Sequence, residues 1–211
     1  MSQQDLLVQP TTHQLVARPE DDWTGMADPK ERKKLQDRIN QRILLANAKT
    51  LGLTTRLMSR QARSRFASTG VETTFIDSLP PSLQPTIFQL TIPHHPWIDL
   101  LPVSDLRDNL LRRSADSYDA AQLCRDMRGF QQVAGGRGGV TVWGQPWDPH
   151  GWEISPAFAQ KWPWVVEGCQ SLLESTNHWR GTRGEPALHV WHGTSLSHDG
   201  PSRIQEVVEQ E

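Results

Sequence analysis

Asp28-Pro29-Lys30-Glu31-Arg32-Lys33-Lys34-Leu35-Gln36-Asp37-Arg38-Ile39-Asn40-Gln41-Arg42-Ile43 opens with a helix start and continues with a helical period. Asp28 can cap the free amides, Pro29 suits the first helical position, and Glu31 can reach back to the cap. Leu35, Ile39 and Ile43 recur at i, i+4 and i+8, a narrow apolar stripe on a basic helix. Gly52 supplies a stop. A helix over 29–51 would be about 33 Å long.

Outward from this helix the patterning changes on both sides. Residues 1–27 hold no sustained period and read as a flexible tail. Residues 53–84 are rich in Ser, Thr, Arg and Gln, end in Pro80-Pro81 and Pro85, and read as a linker. A compact domain is expected over 85–185. Ser104-Asp105 can cap a helix carrying Leu106, Leu110 and Leu111. Asp116 or Ser117 can cap another, through Leu123, Cys124 and Met127, with Gly129 as its stop. Val140-Thr141-Val142-Trp143 reads as a short strand, and Trp152-Glu153-Ile154 as its hairpin partner. Ser155-Pro156 opens an apolar face of Phe158, Trp162, Val165, Val166, Cys169, Leu172 and Leu173. Pro163 inside it predicts a kink or two consecutive helices. Residues 186–211 are a polar tail. The expected fold is mainly α: an isolated basic helix over 28–52, a flexible linker, and a compact helical domain with a small β-hairpin.

Composition narrows the function. The 211 residues carry a formal charge of -2, but eleven basic residues stand against three acidic ones between Asp28 and Arg65. That segment is +8 and the remainder -10. A basic segment on an acidic body suggests an arm for polyanions, with a solvated charged linker as the plainer alternative. Eight of the nine tryptophans fall between Trp97 and Trp191, so the apolar mass lies in the C-terminal half. Trp147 and Trp162 are the expected core anchors. No apolar run reaches the ~18–20 residues of a membrane span. Met1-Ser2-Gln3-Gln4-Asp5 has neither a basic n-region nor an apolar h-region, so no secretory leader is expected. Two cysteines cannot build a disulfide framework, and a reducing compartment is expected.

The basic stretch resembles the basic region of fungal bZIP regulators. Leu35, Gln36, Arg38, Ile39, Gln41 and Arg42 match in register. The resemblance implies that Arg32, Lys33, Lys34, Arg38, Asn40, Gln41 and Arg42 contact DNA, with the arginines and lysines on phosphates. Three positions depart from it. The base-reading Asn of the resembled region falls on Asp37, its Ala on Asn40 and its invariant Arg on Leu45. A carboxylate at Asp37 cannot donate to a base edge, so DNA contact is expected to be weak and phosphate-dominated. Leu44, Leu51 and Met58 are seven apart, but Arg65 ends the series, short of the three to four heptads a zipper needs.

Residues 94–185 resemble the C-terminal domain of unknown function carried by many fungal bZIP-like regulators. The segments are His95-Pro96-Trp97-Ile98-Asp99-Leu100-Leu101-Pro102, Leu106-Arg107-Asp108-Asn109-Leu110, Leu123-Cys124-Arg125-Asp126, Val142-Trp143-Gly144-Gln145-Pro146-Trp147-Asp148-Pro149, Gly151-Trp152-Glu153 and Ser175-Thr176-Asn177-His178-Trp179-Arg180. Pro163 departs from the pattern. The resemblance implies a nuclear transcriptional regulator, in the setting of secondary-metabolite gene clusters, with a protein partner met through the C-terminal domain. An interaction or inhibitor protein that does not read DNA is the alternative.

Other chemistry is weaker. His94, His95, Asp148, His150 and His178 read as turn and capping groups; no pair has the i, i+4 spacing of a zinc enzyme. Gly135–Gly139 precedes a strand, whereas a phosphate loop follows one. Cys124 and Cys169 lie on apolar faces and read as core residues. Trp191-His192-Gly193-Thr194-Ser195 forms no Ser, His and Asp arrangement. No catalytic residue, metal ligand or cofactor is expected, nor a membrane. Trp143, Trp147 and Trp152 surround one turn-rich segment, chiefly as core, with an aromatic pocket beside Arg180 and Glu153 as the other reading.

Overall fold

The structure is a computed structural model that describes residues 27–54, 59, 61–68, 70–128 and 139–189. Among these residues the chain is mainly α with one small hairpin. Helix α1 (Pro29–Thr50) starts where the Asp28 carboxylate accepts from Lys30 N at 2.8 Å. Glu31 does not close the expected capping box and pairs instead with Lys34 Nζ at 2.7 Å. Leu51 is the C-cap, and Gly52 leaves the helix at φ +65°, where a side chain would be strained. Helices α2 (Thr73–Asp77), α3 (Ile87–Thr91), α4 (Ser104–Arg112) and α5 (Ala120–Met127) follow. Strands β1 (Val140–Val142) and β2 (Trp152–Ile154) pair antiparallel, with Val140 opposite Ile154 and Val142 opposite Trp152. At the neck of this hairpin a Cβ on Gly151 would stand 3.1 Å from Gly144 N, so only glycine fits without a shift.

Ser155 Oγ accepts from Phe158 N at 3.1 Å and caps α6 (Pro156–Lys161). Trp162 breaks the helix, and Pro163 heads α7 (Pro163–Val166), so the proline divides the run as its chemistry requires. Helix α8 (Gln170–Gly181) closes the described chain against β2. Asp119 caps α5, taking Gln122 N at 2.8 Å, whereas Asp116 and Ser117 form a preceding 3₁₀ turn.

The basic helix is not isolated. Leu35, Ile39 and Ile43 are buried in one core cluster with Leu106, Leu110, Leu123, Val140, Val142, Trp152, Ile154, Phe158 and Val165. The apolar stripe that the sequence places on a solvated arm finds its cover on the hairpin, because β1 presents Val140 and Val142 to it. A second core joins Ala48 and Leu51 to Phe66, Leu79, Leu83 and Leu100. Phe66, Leu79 and Leu83 come from the stretch expected to be a linker, so both cores extend across position 85. Arg107 fastens part of the same stretch. Its guanidinium is enclosed and donates to Ser82 O (2.8 Å), Leu101 O (2.8 Å) and Gln84 O (3.0 Å). Burial pulls its pKa down to about 10, opposed by Asp99 and Asp108, so it stays charged at neutral pH.

Trp162 is a core residue as expected, and its indole donates to Asp126 Oδ2 at 2.9 Å. Trp147 is not. It is 36% exposed: the Pro146 ring beside it is buried, and while the Pro146 carbonyl accepts from Asn47 and Trp152 and the Trp147 carbonyl from Ser82, the indole is left at the surface. At the other end, Leu188 leans on the main core and exchanges two hydrogen bonds with Asn177, so the expected polar tail begins with an attached segment.

Candidate nucleic-acid interface

Helix α1 divides its residues between solvent and core, and the sequence-expected contacts fall on both sides. Lys34, Arg38 and Gln41 are exposed. Lys34 is tied to Glu31, and that hydrogen bond raises its pKa. Arg42 is half-buried. Arg32 and Lys33 lie within α1, but their side chains fall outside the described set. Lys34 and Arg38 thus lie on the exposed face of α1.

Asn40 is on the other side. It is 4% exposed, and its amide donates to Val140 O at 2.5 Å. As α1 is docked, this side chain cannot reach a groove edge. Asn47, one heptad on, is fully enclosed and donates to Leu100 O and Pro146 O, both at 2.9 Å. The sequence reading passed over Asn47. The available signal was spacing: Asn40, Ile43, Asn47 and Leu51 lie on one helical face, and polar residues within an apolar stripe need partners when buried. Asp37 is half-buried, and Leu45 is 55% exposed where the resembled region carries Arg. Leu51 is enclosed in the second core, and Met58 lies outside the described residues.

The remaining polar groups hold the fold together. Asp99 is a buried hub. Ser64 Oγ donates to its Oδ2 at 2.6 Å, while Gln89 Nε2 (2.7 Å) and His94 Nε2 (2.8 Å) share its Oδ1. Ser64 and His94 each bond the carboxylate, which stands between them, so they do not form a nucleophile and its base. His95 bonds Ser59 O, and His150 bonds Asp148 in an exposed turn. Among the described residues no three His, Cys, Asp or Glu side chains are grouped to hold a metal ion. Gly135–Gly138, Gly129 and Trp191–Ser195 lie outside the described residues.

The tryptophan cluster near Glu153 is closed by a different arginine from the expected Arg180. Arg183 clamps both Glu153 oxygens, at 2.6 and 3.0 Å, and lies over the Trp143 ring. Burial opposes its charge, but hydrogen bonds to Glu185 and Glu153 outweigh this and raise its pKa. Trp143 stacks on Trp179 at 5.2 Å and donates to Glu153 Oε2. Arg180 pairs with Glu185 and Pro186 O. This cluster pins the end of α8 to the hairpin.

An open cavity lies elsewhere. A cavity of about 540 Å³ runs between α1, the 3₁₀ turn Ile98–Leu100, α5 and the hairpin, with Leu44, Trp97, Met127 and Trp152 among its walls. The outer charges of α1 and this cavity border the same helix.

A family model described as a domain of unknown function, DUF3425, matches residues 62–173. It begins in the stretch expected to be a linker and ends within α8, leaving α1 outside the match. No curated protein and no solved structure matches the chain.

Proposed function

Because the chain belongs to the DUF3425 family, we propose that it is a nuclear regulator of transcription whose bZIP-like helix meets DNA through phosphates and does not read bases. The gene setting is that of a secondary-metabolite cluster. The observation that carries this reading is the division of α1. Lys34 and Arg38 face solvent, while Asn40 is enclosed with its amide on Val140 O. A helix in this position can lay charge along a phosphate backbone. It cannot turn the Asn40 side into the major groove without leaving the core. The reading makes the protein a binding module rather than an enzyme, with its regulatory partner met through the C-terminal domain.

Fluorescence anisotropy of the full chain on a palindromic and a scrambled duplex, at low and physiological salt, tests it. The two duplexes bind about equally, and affinity falls steeply with salt. Lys34→Glu with Arg38→Glu weakens both together. A strong preference for the palindrome at physiological salt would overturn the reading and show base contact by an undocked helix.

The second reading is an interaction or inhibitor protein that does not engage DNA. The enclosure of Leu51 favours it over a DNA-bound dimer, since a zipper would need that side chain. Absence of any salt-dependent shift, together with capture of a related regulator, would select it.

A further inference from the structure

We propose that the cavity beside α1 is a binding site for a small amphipathic carboxylate, an apolar chain with one anionic head. Its volume of about 540 Å³ lies within the span of small-molecule sites, about 300–1,000 Å³. The walls are apolar: Leu44 from α1, Trp97 before the 3₁₀ turn, Met127 from α5 and Trp152 from β2. These would cover a hydrocarbon chain. Among the described residues, the charged ones that line the cavity are Lys49 and Arg128, one from α1 and one following α5, and none of them is a carboxylate. Charge of one sign on a mostly apolar wall, whose other polar members Asn40, Gln41 and Thr54 are uncharged, selects an anion and disfavours a cation of the same shape. A carboxylate is the head that a guanidinium and an ammonium both bind well.

The position gives such a ligand leverage. Seven of the lining residues, from Asn40 to Lys49, belong to α1. The cavity exists only while α1 is docked, so a ligand that fills it favours the docked helix by mass action. The site rests on cavity shape and charge, and its test does not depend on whether the chain meets DNA.

The experiment uses the full chain with three probes of one chain length: decanoate, decanol and decyltrimethylammonium, each below its micelle concentration. Tryptophan fluorescence reports binding, because Trp97 and Trp152 line the cavity. Decanoate binds about tenfold tighter than decanol, as one charge-assisted contact would give, and decyltrimethylammonium binds weakest. Decanoate also raises the melting temperature. In Lys49→Glu with Arg128→Glu the order of the two charged probes inverts. Lys49→Gln changes one exposed side chain at little risk to the fold; it weakens decanoate about threefold and leaves decanol unchanged. Leu44→Trp fills the space and removes both. Failure of all three probes to bind overturns the proposal, as does equal binding of the three. Decanoate still preferred in the doubly reversed chain, or both probes retained by Leu44→Trp, also overturns it.

Discussion

On the outer side of α1, Lys34, Arg38, Gln41 and Lys49 stand in solvent; on the inner side, Leu35, Ile39, Ile43 and Leu51 are buried with Asn40 and Asn47 between them. The outer face is electrostatic and local, held by contacts such as Lys34 on Glu31 three residues away. The inner face is long-range. Asn40 reaches Val140, 100 residues on, and Asn47 reaches Pro146, 99 residues on. The outer face can change charge at little cost to stability, while the inner face sets where the helix lies. The resemblance to a DNA-reading helix crosses this divide, which is why only part of the resembled surface is available outside.

The strongest way to break the comparison is to remove the helix. A chain beginning at Pro85 lacks Leu35, Ile39, Ile43 and Leu51, which at about 1.5–3 kcal/mol each amount to about 6–12 kcal/mol. Typical domain stability is about 5–15 kcal/mol, so this chain should lose its cooperative thermal transition by circular dichroism. A sharp transition near that of the full chain would mean that α1 only leans on the domain.

Single substitutions sharpen it. Ile43→Ala should cost about 2–5 kcal/mol in urea unfolding, since it opens space in the main core. Gln41→Ala, on the exposed side, should stay within about 0.5 kcal/mol. Equal losses at the two positions would erase the difference between the faces.

Asn47→Ala tests the polar part of the inner face. Leu100 O and Pro146 O would each lose a buried donor, for a loss of about 1–3 kcal/mol. Asn47→Asp should be worse, because a carboxylate cannot donate and would bring an unpaired charge into the same space. An unfolding midpoint unchanged in both variants would show that water reaches these carbonyls.

The smallest effect, absent at neutral pH, concerns the thiol in the core that receives the inner face. Burial, with Asp105 adding to it, pushes the Cys169 pKa from 9.0 up to about 12. Above pH 9 the unfolded thiol ionises while the folded one keeps its proton. The unfolded state then binds fewer protons, and stability falls as pH rises from about 9 to about 12. Comparing unfolding of the full chain and Cys169→Ala at pH 8 and pH 10 isolates the thiol's effect; an identical pH response in both would remove it.

The sequence by itself determined the elements whose causes are local. Asp28 and Pro29 start α1, Gly52 ends it, Ser155 caps α6 and Pro163 divides α6 from α7. The hairpin of Val140–Val142 with Trp152–Ile154 was legible from alternation and the turn-rich segment between. Caps, prolines and glycines act on the backbone within a few residues, so one segment contains its own instructions. The candidate site was legible only on its outer side, where charge alone places Lys34 and Arg38. Only the tertiary structure decided that α1 docks, that Asn40 and Asn47 face inward, that Phe66, Leu79 and Leu83 are core, and that Trp147 lies outside. Burial depends on which surfaces meet across about a hundred residues of chain, and no period within α1 specifies that Val140 O and Pro146 O are the acceptors waiting for its asparagines.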